Sequence, residues 1–189
     1  KGGTLVIVFD ATMLLLFMRP DVNPPIDENT GKPVKNVKER ITAFINQLEK
    51  DKTRIIVPTP ALSELLVRAG ESMQLLVNTI QKSSVFSLEP FDTRAAIEVA
   101  VMAHKEIDAG NKKGGVDSTW AKIKYDRQII AIAKVNNAST IYSDDRDIHG
   151  MAEKAKINVL RLVDLPVPKE MLQEELDLDP QSKEDPNKS

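Results

Sequence analysis

Three carboxylates follow one short apolar run late in the chain. The run at residues 139–142 has the length and composition of a buried strand, and the acids after it are Asp144, Asp145 and Asp147. A second apolar run, residues 4–9, also ends in an acid, Asp10. Because ligands bind at the carboxyl ends of the strands in an open parallel sheet, we expect both acidic strand ends to lie at one site.

Asp126 adds a carboxylate from a helix. At helical spacing it shares a face with the apolar residues Ile129, Ile130 and Ala133. A carboxylate on an apolar stripe is costly unless it is paired or binds a cation. Stabilisation by the helix dipole or by a hidden salt bridge is the alternative interpretation.

Two of the candidate acids have ordinary structural explanations. Asp10 follows a strand, where a helix cap or a turn residue is common. Glu64, in a predicted helix at 60–69, points away from the apolar stripe of that helix and is spaced to pair with Arg68.

Several carboxylates at one place favour a divalent cation, because they repel one another unless a positive charge lets them stay ionised. Oxygen ligands suit Mg²⁺ or Mn²⁺, and such metals support hydrolysis of phosphodiester bonds. The chain has two His and no Cys, which excludes thiolate sites and disfavours a His-rich zinc site.

Apolar runs and helical periodicity predict an α/β fold with a central, mainly parallel sheet. The predicted order is strand, helix, helix, repeated three times, then strand, helix, strand. Strands are expected at 4–9, 54–58, 85–90, 139–143 and 158–162; helices at 11–18, 36–50, 60–69, 92–108, 121–136 and 147–156, with another between 69 and 85. Long loops are expected at 19–35 and 109–118.

Composition predicts one soluble domain at residues 1–168 followed by an acidic, flexible tail at 169–189. The tail has three Lys and seven acids, so the net charge of −2 for all 189 residues leaves +2 on the domain. No apolar run is long enough to cross a membrane. The chain has no Cys, and its first residues lack the pattern of a signal peptide, so we expect a cytoplasmic location.

A local basic patch lies within residues 105–134, where seven Lys or Arg outnumber four acids. Its prominent members are Lys112, Lys113, Lys122, Lys124 and Arg127. Such a patch is a candidate surface for RNA phosphates, and a solvated loop and helix face is the alternative interpretation.

Four segments together resemble the PIN-domain nucleases, which have a three-layer α/β/α fold. They are "VIVFDATMLLL", "VPTPALSELL", "KYDRQIIAIAKVNNASTIYSDDRDI" and "INVLRL", spread over residues 4–165. The resemblance implies that four acids bind metal and act in catalysis: Asp10, Glu64, Asp126 and Asp145. It also implies that Asp147 is an auxiliary metal-binding acid and that the hydroxyls of Thr12 and Ser143 bind substrate. Asp144 lies at a variable position of the family pattern, and we expect it to face solvent.

The function that the resemblance implies is a Mg²⁺- or Mn²⁺-dependent endoribonuclease, often a VapC-like toxin with an antitoxin protein partner and often a homodimer. A non-catalytic PIN-fold module that binds RNA or protein is the alternative. A phosphatase of the haloacid dehalogenase type is disfavoured, since that chemistry needs Asp-x-Asp after the first strand and the second position is Thr12.

Overall fold

The computed structural model describes residues 5–19, 22–27, 29–113, 115, 117–168 and 171. Apart from Met171, the predicted acidic tail at 169–189 lies outside the described residues. The domain boundary at 168 therefore stays a prediction.

Seven strands run through the described residues. They are β1 (Val6–Phe9), β2 (Ile26–Asp27), β3 (Lys32–Pro33), β4 (Arg54–Pro58), β5 (Phe86–Glu89), β6 (Thr140–Tyr142) and β7 (Asn158–Leu160). Five of them form one sheet in the order β5-β4-β1-β6-β7, and every neighbouring pair in it is parallel. The sheet confirms the predicted parallel α/β architecture.

Seven α-helices connect and cover these strands. They are α1 (Ala11–Met18), α2 (Val37–Lys50), α3 (Thr59–Ala69), α4 (Met73–Lys82), α5 (Thr93–Asp108), α6 (Trp120–Val135) and α7 (Arg146–Lys154). Their order along the chain is the predicted one, and together with the sheet they form the predicted three-layer α/β/α fold.

Two local predictions differ from the structure. The predicted loop at 19–35 contains the small antiparallel ribbon of β2 and β3. Helix α3 begins at Thr59, one residue before the predicted start at 60, with Pro58 at the N-cap. The ribbon strands have two residues each, too few to produce an alternating apolar pattern.

The core lies around β1 and β4, whose β-branched residues suit strands covered on both faces. Ile55, Ile56 and Val57 of β4 have no exposed surface. Phe9 at the end of β1 stacks on Phe44 and meets Tyr142 edge to face. This packing fixes the position of the strand ends from which the candidate site is built.

The central position of β1 brings distant acids together. Phe9 pairs with Tyr142 of β6, and the backbone N–H of Asp10 donates to the carbonyl of Tyr142 at 3.2 Å. The residues after both strands therefore leave the sheet side by side. Within the described ranges, no helix has the length and apolar character needed to span a membrane.

Candidate metal centre

A cleft of about 410 Å³ opens at the carboxyl ends of β1 and β6. Its walls come from α1, α3, α6 and α7. The candidate residues that line it are Asp10, Thr12, Glu64, Lys122, Asp126 and Asp145. The four acids predicted from separate parts of the sequence thus face one space.

Asp10 is held by both of its carboxylate oxygens. Oδ1 accepts a hydrogen bond from the backbone N–H of Met13 at 2.7 Å, which makes Asp10 the N-cap of α1. Oδ2 accepts from the hydroxyl of Ser143. Burial raises the pKa of Asp10 to about 7, although both hydrogen bonds act in the opposite direction. The capping role expected as an alternative is present, in a residue that is 3% exposed.

Ser143 connects the two acidic strand ends. Its hydroxyl donates to Asp10 and accepts from the backbone N–H of Asp145 at 3.0 Å. The residue has no exposed surface. A contact of Ser143 with substrate would require the buried hydroxyl to leave Asp10 and the backbone of Asp145, so it stays a prediction.

Asp126, Asp145 and Asp147 form a tight cluster. Each can place one carboxylate oxygen within 4.8 Å of the other two. Asp126 comes from the second turn of α6, Asp145 is the N-cap of α7, and Asp147 lies in the first turn of α7. The cap bond runs from the backbone N–H of Asp147 to Oδ1 of Asp145 at 2.8 Å.

Lys122 supplies the cluster with one positive charge. Its ammonium lies 3.0 Å from Asp126, 2.9 Å from Asp145 and 2.6 Å from Asp147. Three ionised acids and one ammonium leave a local charge of −2. The hidden salt bridge that we gave as the alternative for Asp126 is present, and the remaining charge equals that balanced by one divalent cation.

The electrostatics of the cluster follow from burial and from Lys122. Burial raises the pKa of Asp126 to about 6, and the nearby ammonium limits that rise. Burial acts on Lys122 in the opposite sense, but its hydrogen bonds to the acids are stronger and raise its pKa. For Asp147, bonds from Lys122 and Ser118 outweigh burial and lower the pKa. A cation bound at this place would stabilise the ionised form of these half-buried carboxylates.

The donor atoms fit a hard divalent ion. The cluster offers carboxylate oxygens and no sulfur, which suits Mg²⁺ or Mn²⁺. Asp126, Asp145 and Asp147 are the residues that would hold the ion. Asp10 and Glu64, although they line the same cleft, lie outside this three-residue cluster.

Comparison with known proteins identifies the fold. No protein-family model and no curated protein sequence matches the chain. VapBC2 from Rickettsia felis, solved bound to a DNA fragment from its promoter, matches with 10% identity and a TM-score of 0.56, covering 83% of this chain and 98% of that chain. DNA-bound VapBC from Salmonella typhimurium matches with 16% identity and a TM-score of 0.54, covering 84% and 99%. This chain has a PIN-like fold. At these identities the likeness establishes the fold alone.

Within the PIN-like fold, Glu64 occupies the rim of the cleft. Its side chain is 51% exposed and pairs with Arg68 at 2.6 Å, four residues further along α3. The exposed ion pair given as the alternative for Glu64 is therefore present. A metal role for Glu64 would require the side chain to leave Arg68, and it stays a prediction.

Asp144 turns away from the other acids of the cleft. Oδ1 accepts from the backbone N–H of Leu162 at 3.3 Å, and Oδ2 is a buried atom without a hydrogen-bond partner among the described residues. Burial raises the pKa of Asp144. The expectation that Asp144 faces solvent is wrong, because the turn after β6 packs its carboxyl group against the segment that follows β7.

The basic patch divides into exposed and buried members. Lys112, Lys113 and Lys124 are exposed and stay candidates for phosphate contacts. Arg127 is 5% exposed and donates to the carbonyl of Lys112 at 2.9 Å, so a phosphate contact would require it to leave this buried position, and it stays a prediction. Lys122 is engaged by the acid cluster, so a phosphate contact would require it to leave those partners.

Sequence reasoning missed two contributors to the site. Ser118, in the predicted loop before α6, donates to Asp147. Tyr125, next to Asp126, lines the cleft with more than half of its surface exposed. The Lys122–Asp126 pair had a detectable signal, since residues four apart meet on a helix. The contact of Ser118 with Asp147 depends on tertiary packing and left no signal in the sequence.

Proposed function

We propose that this chain is a Mg²⁺- or Mn²⁺-dependent endoribonuclease that hydrolyses phosphodiester bonds of RNA. The observation that carries the proposal is the cluster of Asp126, Asp145 and Asp147, since Asp126 and Asp145 also line one cleft with the buried Asp10. Structural salt bridges explain single acids, but a single ammonium does not balance three clustered acids, which keep a net charge of −2. The PIN-like fold supports the same function.

The residues of the cleft have separable roles in this proposal. Asp126, Asp145 and Asp147 hold the cation, and Ser143 keeps Asp10 directed into the cleft. A divalent cation bound by carboxylates activates water and stabilises the charge on a phosphate during in-line displacement. Asp10, with its pKa raised to about 7, is suited to accept a proton at a carboxylate oxygen near neutral pH.

RNA would be attracted by the exposed lysines near the start of α6, namely Lys112, Lys113 and Lys124. Contacts of this kind supply affinity without base preference. Thr12 lines the cleft wall and is available for contacts with the ribose or the phosphate.

Cleavage of a labelled single-stranded RNA by the full chain tests the proposal. We expect activity with Mn²⁺, none with chelator, and a loss of about a hundredfold or more in Asp126→Asn and Asp145→Asn, the scale of losing one group that stabilises charge at the reacting centre. Asp108→Asn, the same substitution at an exposed site on α5, is the matched control and should cleave like wild type. Equal activity in Asp126→Asn and wild type would refute the assignment.

A non-catalytic module that binds RNA or protein is the second candidate, and Lys122 is the observation that favours it. An ammonium with three carboxylate partners can serve as a permanent internal counter-ion, which would make a metal unnecessary. In that case RNA would bind without being cleaved, and Mn²⁺ at millimolar concentration would not bind.

A protein partner is a further part of the proposal. The matched structures are VapBC complexes, and on that ground we propose the toxin role, with an antitoxin as partner. Val67, Met73 and Leu75 of α3 and α4 expose apolar surface that a partner or a second copy of the chain would cover. Light scattering of the full chain tests the homodimer, and a monomeric mass at micromolar concentration would contradict it.

A further inference from the structure

The aromatic residues of this chain fall into two groups. The sequence has five Phe, two Tyr and one Trp. Phe9, Phe17, Phe44, Phe86 and Tyr142 pack against one another in the core. The other three, Phe91, Trp120 and Tyr125, line a single surface cleft of about 480 Å³, here called the aromatic cleft. Its size is within the range of small-ligand sites.

The aromatic cleft lies next to the candidate metal centre. Ser63 and Tyr125 line both spaces. Tyr125 precedes Asp126 on α6, so one helix presents an aromatic ring to one cleft and a carboxylate to the other.

Exposed rings and positive charge coincide at this cleft. Tyr125 is 53% exposed and Phe91 is 37% exposed, so both offer ring surface to a ligand. The ammonium groups of Lys112 and Lys124 lie 4.8 Å and 5.5 Å from the centre of the Trp120 ring. The buried guanidinium of Arg127, 5.4 Å from the same centre, helps to fix that ring.

Aromatic faces combined with cations are the arrangement that binds single-stranded nucleic acid, since bases stack on rings while phosphates meet ammonium groups. We propose that the aromatic cleft binds an unpaired base of single-stranded RNA, next to the phosphodiester bond placed at the acid cluster. Gln128, also in the cleft wall, has an amide that can pair with a base edge. The inference rests on the proposed ribonuclease function and adds a base-binding subsite beside the acid cluster.

Trp120 is the single Trp of the chain, so its fluorescence reports directly on the aromatic cleft. The full chain is titrated in chelator, where no cleavage occurs, with single-stranded hexa-adenylate RNA, a base-paired RNA of similar charge, and inorganic tripolyphosphate. We expect the single strand to change Trp120 fluorescence with saturation, and the duplex and tripolyphosphate to leave it nearly unchanged.

Variants assign the signal to the rings. Tyr125→Leu and Phe91→Leu keep apolar volume and should each weaken hexa-adenylate binding about fivefold or more, the scale of losing one base stack. Lys124→Ala should weaken binding and reduce its salt dependence. Lys82→Ala on α4 removes the same charge at an exposed site elsewhere and should bind like wild type. Circular dichroism verifies that each variant is folded.

Several outcomes would overturn the inference. Tripolyphosphate as effective as hexa-adenylate would mean that phosphates alone are bound. Wild-type affinity in both folded ring variants would exclude stacking. A response to an acidic peptide but not to RNA would make the cleft a peptide site. Hexa-adenylate binding without RNA cleavage in Mn²⁺ would support the base site and refute the proposed nuclease. RNA cleavage by wild type, with wild-type hexa-adenylate affinity in Tyr125→Leu and Phe91→Leu, would support the nuclease and refute the base site.

Discussion

Replacing Asp10 with Asn should stabilise the fold at neutral and alkaline pH. The folded chain raises the pKa of Asp10 from 3.8 to about 7 because the carboxyl group is buried. A raised pKa means that the folded state binds the proton more tightly than the unfolded state. The contribution to stability is therefore complete below about pH 4 and is lost as the pH rises to about 7.

The structure sets the size of the effect. The folded and unfolded pKa values of Asp10 differ by roughly three, which corresponds to a loss of about 4 kcal/mol in the free energy of unfolding once the carboxyl group is ionised. This is an upper value because the fold relaxes around the charge. Asn is as good an N-cap as Asp, so the bond from Met13 is kept. The Asn amide can donate to the Ser143 hydroxyl in place of the present bond. We expect Asp10→Asn to match wild type near pH 4 and to exceed it by up to about 4 kcal/mol at pH 8.

Urea unfolding of the full chain in chelator between pH 4 and 8, followed by circular dichroism, measures this difference. Asp92→Asn is the matched control, since Asp92 is the N-cap of α5. Hydrogen bonds from the backbone N–H of Ala95 and from Arg94 lower its pKa, so its contribution has the opposite sign and disappears as the pH falls. A stability difference for Asp10→Asn that does not grow with pH would refute the reasoning. Lost RNA cleavage in the stabilised variant would show that the buried charge is kept for function.

Three other substitutions test the remaining parts of the site. Lys122→Met removes the positive charge from the acid cluster and should tighten Mn²⁺ binding, measured by calorimetry, roughly tenfold. Weaker binding would contradict the idea that the Lys122 ammonium and the metal ion compete for the same carboxylates. Ser143→Ala removes a hydrogen bond that lowers the pKa of Asp10, so the pH–rate profile of RNA cleavage should shift to higher pH; an unshifted profile would exclude the positioning role. Asp144→Asn should cleave RNA within about tenfold of wild type, because its carboxyl group faces the segment after β7; a loss as large as that of Asp145→Asn would place it in the site.

Local patterns in the sequence were enough to predict the architecture. β1 and β4 are continuous β-branched runs, and α6 has an apolar stripe of full helical period, so their types and order were predictable. The β2–β3 ribbon was not predictable, because two-residue strands are made by turn geometry and leave no apolar pattern. The start of α3 was wrong by one residue for a similar reason: a helix cap depends on backbone angles that Thr59-Pro60 does not fix.

The candidate site was only partly predictable. The acids at strand ends were recognisable, since parallel strands direct their carboxyl ends to one edge. The ammonium of Lys122 between Asp145 and Asp147 was not, because those contacts cross more than 20 positions of sequence. The aromatic cleft was not predictable for the same reason: Phe91, Trp120 and Tyr125 follow no periodicity, and only the packing of α3, α6 and the segment between β5 and α5 brings them together.

The central claim is that Asp126, Asp145 and Asp147 form a divalent-cation site, and Mn²⁺ binding to the full chain tests it most directly. Calorimetric titration at pH 7.5 should give binding of about one ion to wild type. Asp126→Asn, which removes one ligand and keeps the shape of the side chain, should bind at least about tenfold more weakly. Absence of binding to wild type at millimolar Mn²⁺, or equal binding to wild type and Asp126→Asn, would contradict the claim.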